Sequence, residues 1–142
     1  MKLSEEKIKD IAEHLDMGLV CFINPQTLET KIMVDPDHPD FMGDVWDADL
    51  EEIDTTWERF IKLAPMRPHA SFGIMKDFLP QVSHSRTRGQ LEAALENRKP
   101  FRNFKAIVDR NFTLREAWFA HKAKSYQQWV RDQLEELDPE SE

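Results

Sequence analysis

The chain has 142 residues and a formal net charge of −8, from 19 basic and 27 acidic side chains. This length fits one domain of ordinary size, and a hydrophobic content of 40% supplies a real core, which excludes wholesale disorder. The acidic balance argues against a dedicated DNA-wrapping protein, which would be basic.

The N-terminal elements are predicted to be a helix and a β-hairpin. Ser4 can cap the helix and Gly18 ends it. Two β-rich runs follow, Leu19–Ile23 and Lys31–Val34, and the turn residues between them indicate a small antiparallel hairpin. Because the first run is apolar on both faces, we expect it to be sandwiched between helices. The apolar residues at helical spacing in the first helix are Ile8, Ile11, Ala12 and Leu15.

The middle of the chain is predicted to be a loop followed by two helices. Residues 35–49 contain six aspartates, two prolines and one glycine, a composition that favours loop. A second helix should begin near Asp47 or Asp49 and continue through Ile61, since apolar residues keep helical spacing up to Pro65. A third helix is predicted over 71–79, where Pro80 ends it.

Three further helices complete the predicted fold. One covers 87–97 and opens with a capping box at Thr87, the next opens with Pro100, and the longest covers 114–137 after a capping box at Thr113. We therefore predict an α+β fold, a mostly helical single domain over 1–137 with a small antiparallel β-hairpin near the N-terminus. Residues 138–142 are predicted to be an acidic, disordered tail.

Charge is distributed unevenly along the chain. Residues 35–58 hold ten carboxylates and no Lys or Arg, whereas residues 84–131 hold eleven basic and four acidic side chains. The last eleven residues carry a net charge of −6. The sequence therefore predicts separate acidic and basic patches.

The acidic loop around His38 is the strongest candidate for a metal site, because carboxylates and one imidazole lie close in sequence. Its spacing does not match an EF-hand, and a zinc site would need more His or Cys residues. A solvated acidic loop and a partner-binding loop are the alternatives. A metal-dependent hydrolase would be centred on Asp35, Asp37, His38 and Asp40.

Residues 98–105 interleave basic and aromatic side chains, a combination that contacts phosphates and stacks on unpaired bases. Helical spacing favours another interpretation, with Phe101 and Phe104 as core anchors and the basic residues in solvent. The aromatic helix around Trp118 is likewise expected to pack on the domain, with His121 as a hydrogen-bonded residue and not a catalyst.

Signatures of local catalytic motifs are absent from the sequence. There is no Gly-x-Ser-x-Gly elbow, no His-Glu-x-x-His helix and no glycine-rich phosphate loop. The single cysteine, Cys21, lies in an apolar run and is expected to be a buried, inert thiol in a reducing compartment. We find no export signal and no bilayer-spanning stretch, and we predict no catalytic residue, no metal and no cofactor.

Several blocks of this sequence resemble an uncharacterised bacterial protein family, number 158 of the UPF series. The resemblance covers about residues 5–135, with Phe72 and Phe119 at positions where tyrosine is expected. It implies a bacterial, cytoplasmic α+β protein and carries over no activity, cofactor or site residue. The blocks are Leu15-Asp16-Met17-Gly18 with Cys21-Phe22-Ile23-Asn24, Ser71-Phe72 with Ile74-Met75 and Asp77-Phe78, Leu91 with Ala94-Leu95, Lys99-Pro100-Phe101-Arg102-Asn103-Phe104-Lys105, and Arg115 with Trp118-Phe119 and Lys122.

Together these patterns predict a cytoplasmic, non-catalytic binding or adaptor module. Its expected partner is another protein or a second copy of the chain, and not a membrane. The alternative is a nucleic-acid-associated protein that uses Arg86, Arg88, Arg98, Lys99, Arg102 and Lys105 of the basic region 84–131. The candidate binding residues are Asp37, His38, Asp40, Trp46, Arg102, Lys105, Arg115 and Trp118.

Overall fold

The computed structural model describes residues 2–138, which form six α-helices and three β-strands. The predicted α+β, mostly helical fold is confirmed. The strands are β1 (Val20–Ile23), β2 (Thr30–Met33) and β3 (Ile61–Leu63), and the helices are α1 (Glu5–Asp16), α2 (Asp47–Thr56), α3 (Pro68–Phe78), α4 (Ser85–Glu96), α5 (Pro100–Val108) and α6 (Phe112–Leu137).

The described chain forms two compact units. The first contains the residues up to Pro65 and those from Tyr126 onward, and the second contains Met66–Ser125. We call them the sheet unit and the helical unit. Across residues 2–138, no helix combines the length and the apolar character that a bilayer span requires.

The sheet unit is organised around β1, the central strand of the order β2-β1-β3. Both pairings are antiparallel, with Cys21 opposite Ile32 on one side and Leu63 on the other. All four residues of β1 are buried, which confirms the expectation that this apolar strand is not half exposed. The predicted hairpin is therefore present, and the buried residues of α1 are the four that its periodicity predicted.

The helical unit has its own apolar core, in which Phe78, Phe104 and Trp118 are the aromatic centre. The rings of Phe104 and Trp118 meet edge-to-face at 5.0 Å, and those of Phe78 and Trp118 at 5.4 Å. The prediction that Phe104 is a core anchor is confirmed, since the residue is fully buried. Phe101 is not one, because 39% of its surface is exposed.

The prediction that the second helix continues through Ile61 is wrong. Helix α2 ends at Thr56, and Ile61 pairs with Ile23 in β3. Ile61 and Leu63 are buried while Lys62 between them is partly exposed, which is the alternation of a strand. Three residues are too few to distinguish that alternation from helical spacing in the sequence.

The two predicted capping boxes are also wrong. The imidazole Nδ1 of His84 accepts a hydrogen bond from the Thr87 N–H at 3.3 Å, so α4 begins at Ser85. The Asn111 side-chain oxygen accepts from the Leu114 N–H at 2.9 Å, one residue before α6 begins. In contrast, Ser4 accepts from the Lys7 N–H at 3.1 Å, as predicted for an N-cap.

The predicted acidic tail begins at Asp138, which is 1% exposed and lies 3.5 Å from the guanidinium of Arg59. Residues 139–142 of that tail lie outside the described residues.

Candidate functional site

The acidic loop is held by a lysine of the sheet. The ammonium of Lys62 lies 2.8 Å from a carboxylate oxygen of Asp35 and 2.8 Å from one of Asp37. The hydrogen bond from Lys62 and the backbone N–H of Asp37 outweigh desolvation and hold the pKa of Asp35 below its usual range. The two carboxylates therefore share one cation of the chain itself.

The remaining loop candidates point into solvent. The imidazole Nδ1 of His38 accepts a hydrogen bond from the Asp40 N–H at 3.1 Å, and the Asp40 side chain is 92% exposed. Within residues 2–138, no group of three or more His, Cys, Asp and Glu side chains has the arrangement of a metal site. Trp46 lies apart from this loop and packs partly buried against the core of the sheet unit.

A second lysine binds three carboxylates in the same unit. The Lys31 ammonium lies 2.8 Å from Glu52, 3.0 Å from Asp49 and 3.5 Å from Glu29. Its pKa is raised, first of all by the hydrogen bond to Glu52. The sequence analysis missed both lysines as partners of the acidic region; Lys31 of β2 and Lys62 of β3 lie opposite Phe22 of β1, one on each side of it.

The basic candidates lie on the helical unit and lack such partners. Arg102 and Lys105 are exposed on α5, and neither forms an ion pair with a described residue. Phe101 of the same helix is partly exposed. Helix α5 therefore exposes two cations without ion-pair partners among the described residues and one partly exposed aromatic ring.

A second aromatic position lies near the start of α6. The guanidinium of Arg115 lies 5.3 Å from the centroid of the Phe119 ring and 3.8 Å from the carboxylate of Asp109. Phe112 is 75% exposed. Arg115 is therefore an exposed candidate that already contacts an aromatic ring and a carboxylate of its own chain.

Trp118 and His121 belong to the interior of the helical unit. Trp118 is 7% exposed, so its ring is covered by its neighbours. The imidazole Nε2 of His121 lies 2.8 Å from the Ile74 carbonyl oxygen and must donate to it, so Nδ1 accepts from the Gln81 amide at 2.9 Å. Both ring nitrogens have a structural partner, as the sequence analysis expected.

Two open cavities mark the surface of the helical unit. One, of about 370 Å³, lies where α4 and α6 begin and combines apolar side chains such as Val82 and Leu114 with the polar Ser83, His84 and Thr113. The other, of about 420 Å³, lies along α4 and α5 and is lined by small and polar side chains, among them Ala93, Ala106 and Gln90. No Asp or Glu lines either cavity.

The two units differ strongly in charge. The helical unit contains twelve Lys and Arg against five Asp and Glu, a net charge of +7. The described part of the sheet unit contains seven basic against twenty acidic residues, a net charge of −13. The predicted separation of charge along the sequence thus coincides with the two units.

Comparison with known proteins places this chain among proteins without an assigned activity. A family described as an uncharacterised protein family, UPF0158, matches residues 6–140. The UPF0158 protein PA5073 of Pseudomonas aeruginosa is 32% identical over 81 residues, which are 57% of this chain and 53% of that protein. The match thus spans about half the length of the curated relative. No solved structure matches the chain.

Proposed function

The chain belongs to the uncharacterised protein family UPF0158, and we propose that it is a non-catalytic binding or adaptor module whose helical unit docks an acidic protein. The observation that carries this proposal is the set of exposed cations without carboxylate partners on that unit. No described residue forms an ion pair with Arg86, Arg98, Lys99, Arg102, Lys105 or Arg110.

The cations on the strands of the sheet unit are used in a different way, whereas Lys2, Lys7 and Lys9 of that unit form no ion pair with a described residue. Lys31 and Lys62 together contact five carboxylates, and Arg131 is bound to Glu5. Ion pairs inside the unit satisfy these groups before a partner arrives. Because cations without internal partners set the local potential, they steer an acidic partner to the helical unit and raise its association rate.

A cytoplasmic location is part of this proposal. Cys21 is fully buried in β1, and burial raises the pKa of its thiol to about 12. A thiol of this kind is protonated and unreactive at neutral pH, so it needs no oxidising environment and forms no disulfide. This agrees with a protein of a reducing compartment.

The proposal is tested by binding to an acidic polymer. We expect the full chain to bind fluorescein-labelled poly-L-glutamate in an anisotropy titration at 50 mM NaCl, and the complex to weaken steeply at 200 mM NaCl. The variant Arg102→Glu/Lys105→Glu should weaken binding about tenfold, because two attractive contacts become repulsive.

A matched control carries the same change of charge on the other unit. Lys2 and Lys9 are exposed and lie on the sheet unit, so Lys2→Glu/Lys9→Glu also lowers the net charge by four. We expect this variant to bind within about twofold of the wild type. Equal losses in the two variants would show that only net charge matters, and would contradict a docking surface on the helical unit.

The exposed rings of Phe101 and Phe112 favour a second candidate, binding of single-stranded nucleic acid. Bases stack on aromatic side chains that lie beside cations, and each stack contributes about 1–3 kcal/mol. Decauridylate is therefore the second probe. A dissociation constant below that of poly-L-glutamate, together with a loss of binding in Phe101→Ala and Phe112→Ala, would replace the protein partner by a nucleic acid.

A further inference from the structure

We propose that the groove between α4 and α5 seats an extended, acidic segment of the partner protein. This inference rests on the proposed function and assigns the place of contact. The groove has a volume of about 420 Å³, and three residues join the two helices, so α4 and α5 form a helical hairpin.

The shape of the groove follows from small side chains on both helices. Ala93 of α4 and Ala106 of α5 line it, and neither extends beyond Cβ. The partly buried Ile107 adds apolar surface to the floor. The space above these residues is open to solvent.

The polar lining matches a peptide backbone. Gln90 and Asn97 line the groove on α4, and neither side chain makes a hydrogen bond with a described residue. A side-chain carboxamide has an N–H donor and a carbonyl acceptor, which pair with the carbonyl and the N–H of a peptide backbone. Asn103 on α5 already donates to the Arg98 carbonyl at 2.9 Å and is held in place by that bond.

Charge selects an acidic occupant. Arg110 lines the groove and forms no ion pair with a described residue. Arg86 and Arg102 each lie one helical turn from a lining residue, Gln90 and Ala106 respectively. Arg110 is the charged residue among those that line the groove, and no Asp or Glu lines it, so a carboxylate of a bound segment that reaches the lining meets a cation.

The same lining disfavours single-stranded nucleic acid at this position. None of the residues that form the groove is aromatic, so a base that entered it would have no ring to stack on. The exposed Phe101 is not among the lining residues. A peptide is therefore the occupant that the chemistry of the groove favours.

The test fills the groove of the full chain with a large side chain and measures the binding of a peptide. The probe is a fluorescein-labelled peptide of five Glu-Val repeats, compared with five Lys-Val repeats and with decauridylate in anisotropy titrations. We expect the acidic peptide to bind and the basic peptide not to bind. Ala106→Trp fills the groove and should raise the dissociation constant for the acidic peptide at least tenfold.

Ala120→Trp is the matched control, because Ala120 is an exposed alanine of α6 outside the groove. This substitution should leave the dissociation constant for the acidic peptide within twofold of the wild-type value. Circular dichroism verifies that both variants are folded. Should Ala106→Trp fail to fold, Arg110→Glu replaces it, since this exposed side chain has no structural partner among the described residues, and the same tenfold loss is expected.

The outcomes separate this inference from the proposed function. Binding that is lost in Arg102→Glu/Lys105→Glu but unchanged in Ala106→Trp and Arg110→Glu would overturn the groove and keep the acidic partner. Binding that is unchanged in all these variants would overturn both. Tighter binding of decauridylate than of the acidic peptide, with the same loss in Ala106→Trp, would overturn the assignment of a peptide.

Discussion

Lys31 and Lys62 determine what the acidic region of this chain can do. A cluster of carboxylates in a sequence indicates a cation, and here the chain provides the cations itself, at 2.8–3.5 Å. The ammonium of Lys62 occupies the position that a metal ion would need between Asp35 and Asp37. The region is therefore best understood as a pair of ionic tethers that hold the 35–58 segment on the sheet.

Lys31→Met tests one tether through the pH dependence of stability. The hydrogen bond from Lys31 lowers the pKa of Glu52, so its stabilising effect is complete above about pH 4.3, the unfolded value, and is lost as the pH falls through the folded value. The raised pKa of Lys31 preserves the effect up to about pH 10.4. We expect Lys31→Met to lower Tm by about 3–6 °C at pH 7.

Thermal unfolding followed by circular dichroism between pH 3 and pH 9 measures this difference. It should be constant from about pH 5 to pH 9 and should shrink at lower pH, as protonation of Glu52 removes the charge that Lys31 binds. Lys9→Met, at an exposed position that forms no ion pair with a described residue, is the control and should change Tm little at any pH. A Tm difference as large at pH 3 as at pH 7 would mean that Lys31 stabilises by packing and not by charge.

At the scale of elements, the sequence predicted the helices whose apolar repeat extends over more than one turn. Helix α1 was predicted with its cap and its buried face, because four apolar residues repeat over about two turns. Strand β3 was missed, since its alternation covers three residues and its partner Ile23 is distant in sequence. The caps of α4 and α6 were missed because a threonine follows each true cap, Thr87 after His84 and Thr113 after Asn111, and resembles a cap in the sequence.

The turn between β1 and β2 contains a strained residue that the sequence does not reveal. Leu28 has φ of 67°, in the left-handed region, and its N–H donates to the Asn24 carbonyl at 2.7 Å. In this conformation the Cβ atom comes too close to the following carbonyl oxygen, which costs energy. Glycine has no Cβ and therefore avoids this strain. Leu28→Gly should therefore stabilise the protein by up to about 1 kcal/mol.

Urea unfolding measures this gain, and Leu28→Ala is the matched control. Alanine removes the same side-chain atoms but keeps Cβ, so it retains the strain and should give no gain. If both substitutions change the free energy of unfolding equally, the effect arises from the 38% exposed leucine side chain and not from the backbone.

At the scale of the whole molecule, the total charge of −8 conceals the property that matters. The sequence predicted separate acidic and basic patches, and they coincide with the two units, at −13 for the described part of the sheet unit and +7 for the helical unit. The sequence alone could not show which cations are free, because ion pairs such as Lys31 with Glu52 form between elements. The packing of the helix around Trp118 was predicted, whereas Phe101 was predicted in the core and is 39% exposed. The single domain over 1–137 stays a prediction.

The excess negative charge of the sheet unit has a consequence for stability. Among the described residues of this unit, the twenty carboxylates outnumber the seven cations and repel one another, and this repulsion is long-range. The Debye length falls from about 30 Å at 0.01 M salt to about 8 Å at 0.15 M, so moderate salt removes most of the repulsion. The tethers are shorter than 4 Å and are screened much less. We therefore expect Tm to rise by a few degrees when NaCl is raised from 10 to 300 mM.

Neutralising two exposed carboxylates of α2 distinguishes this repulsion from a general effect of salt on hydrophobic burial. Glu51 and Asp54 are exposed and form no ion pair with a described residue, so Glu51→Gln/Asp54→Asn removes repulsion without breaking a tether. This variant should melt above the wild type at 10 mM NaCl and should gain less from added salt. A Tm that falls with salt in the wild type would show that the tethers, and not the repulsion, dominate the electrostatic part of the stability.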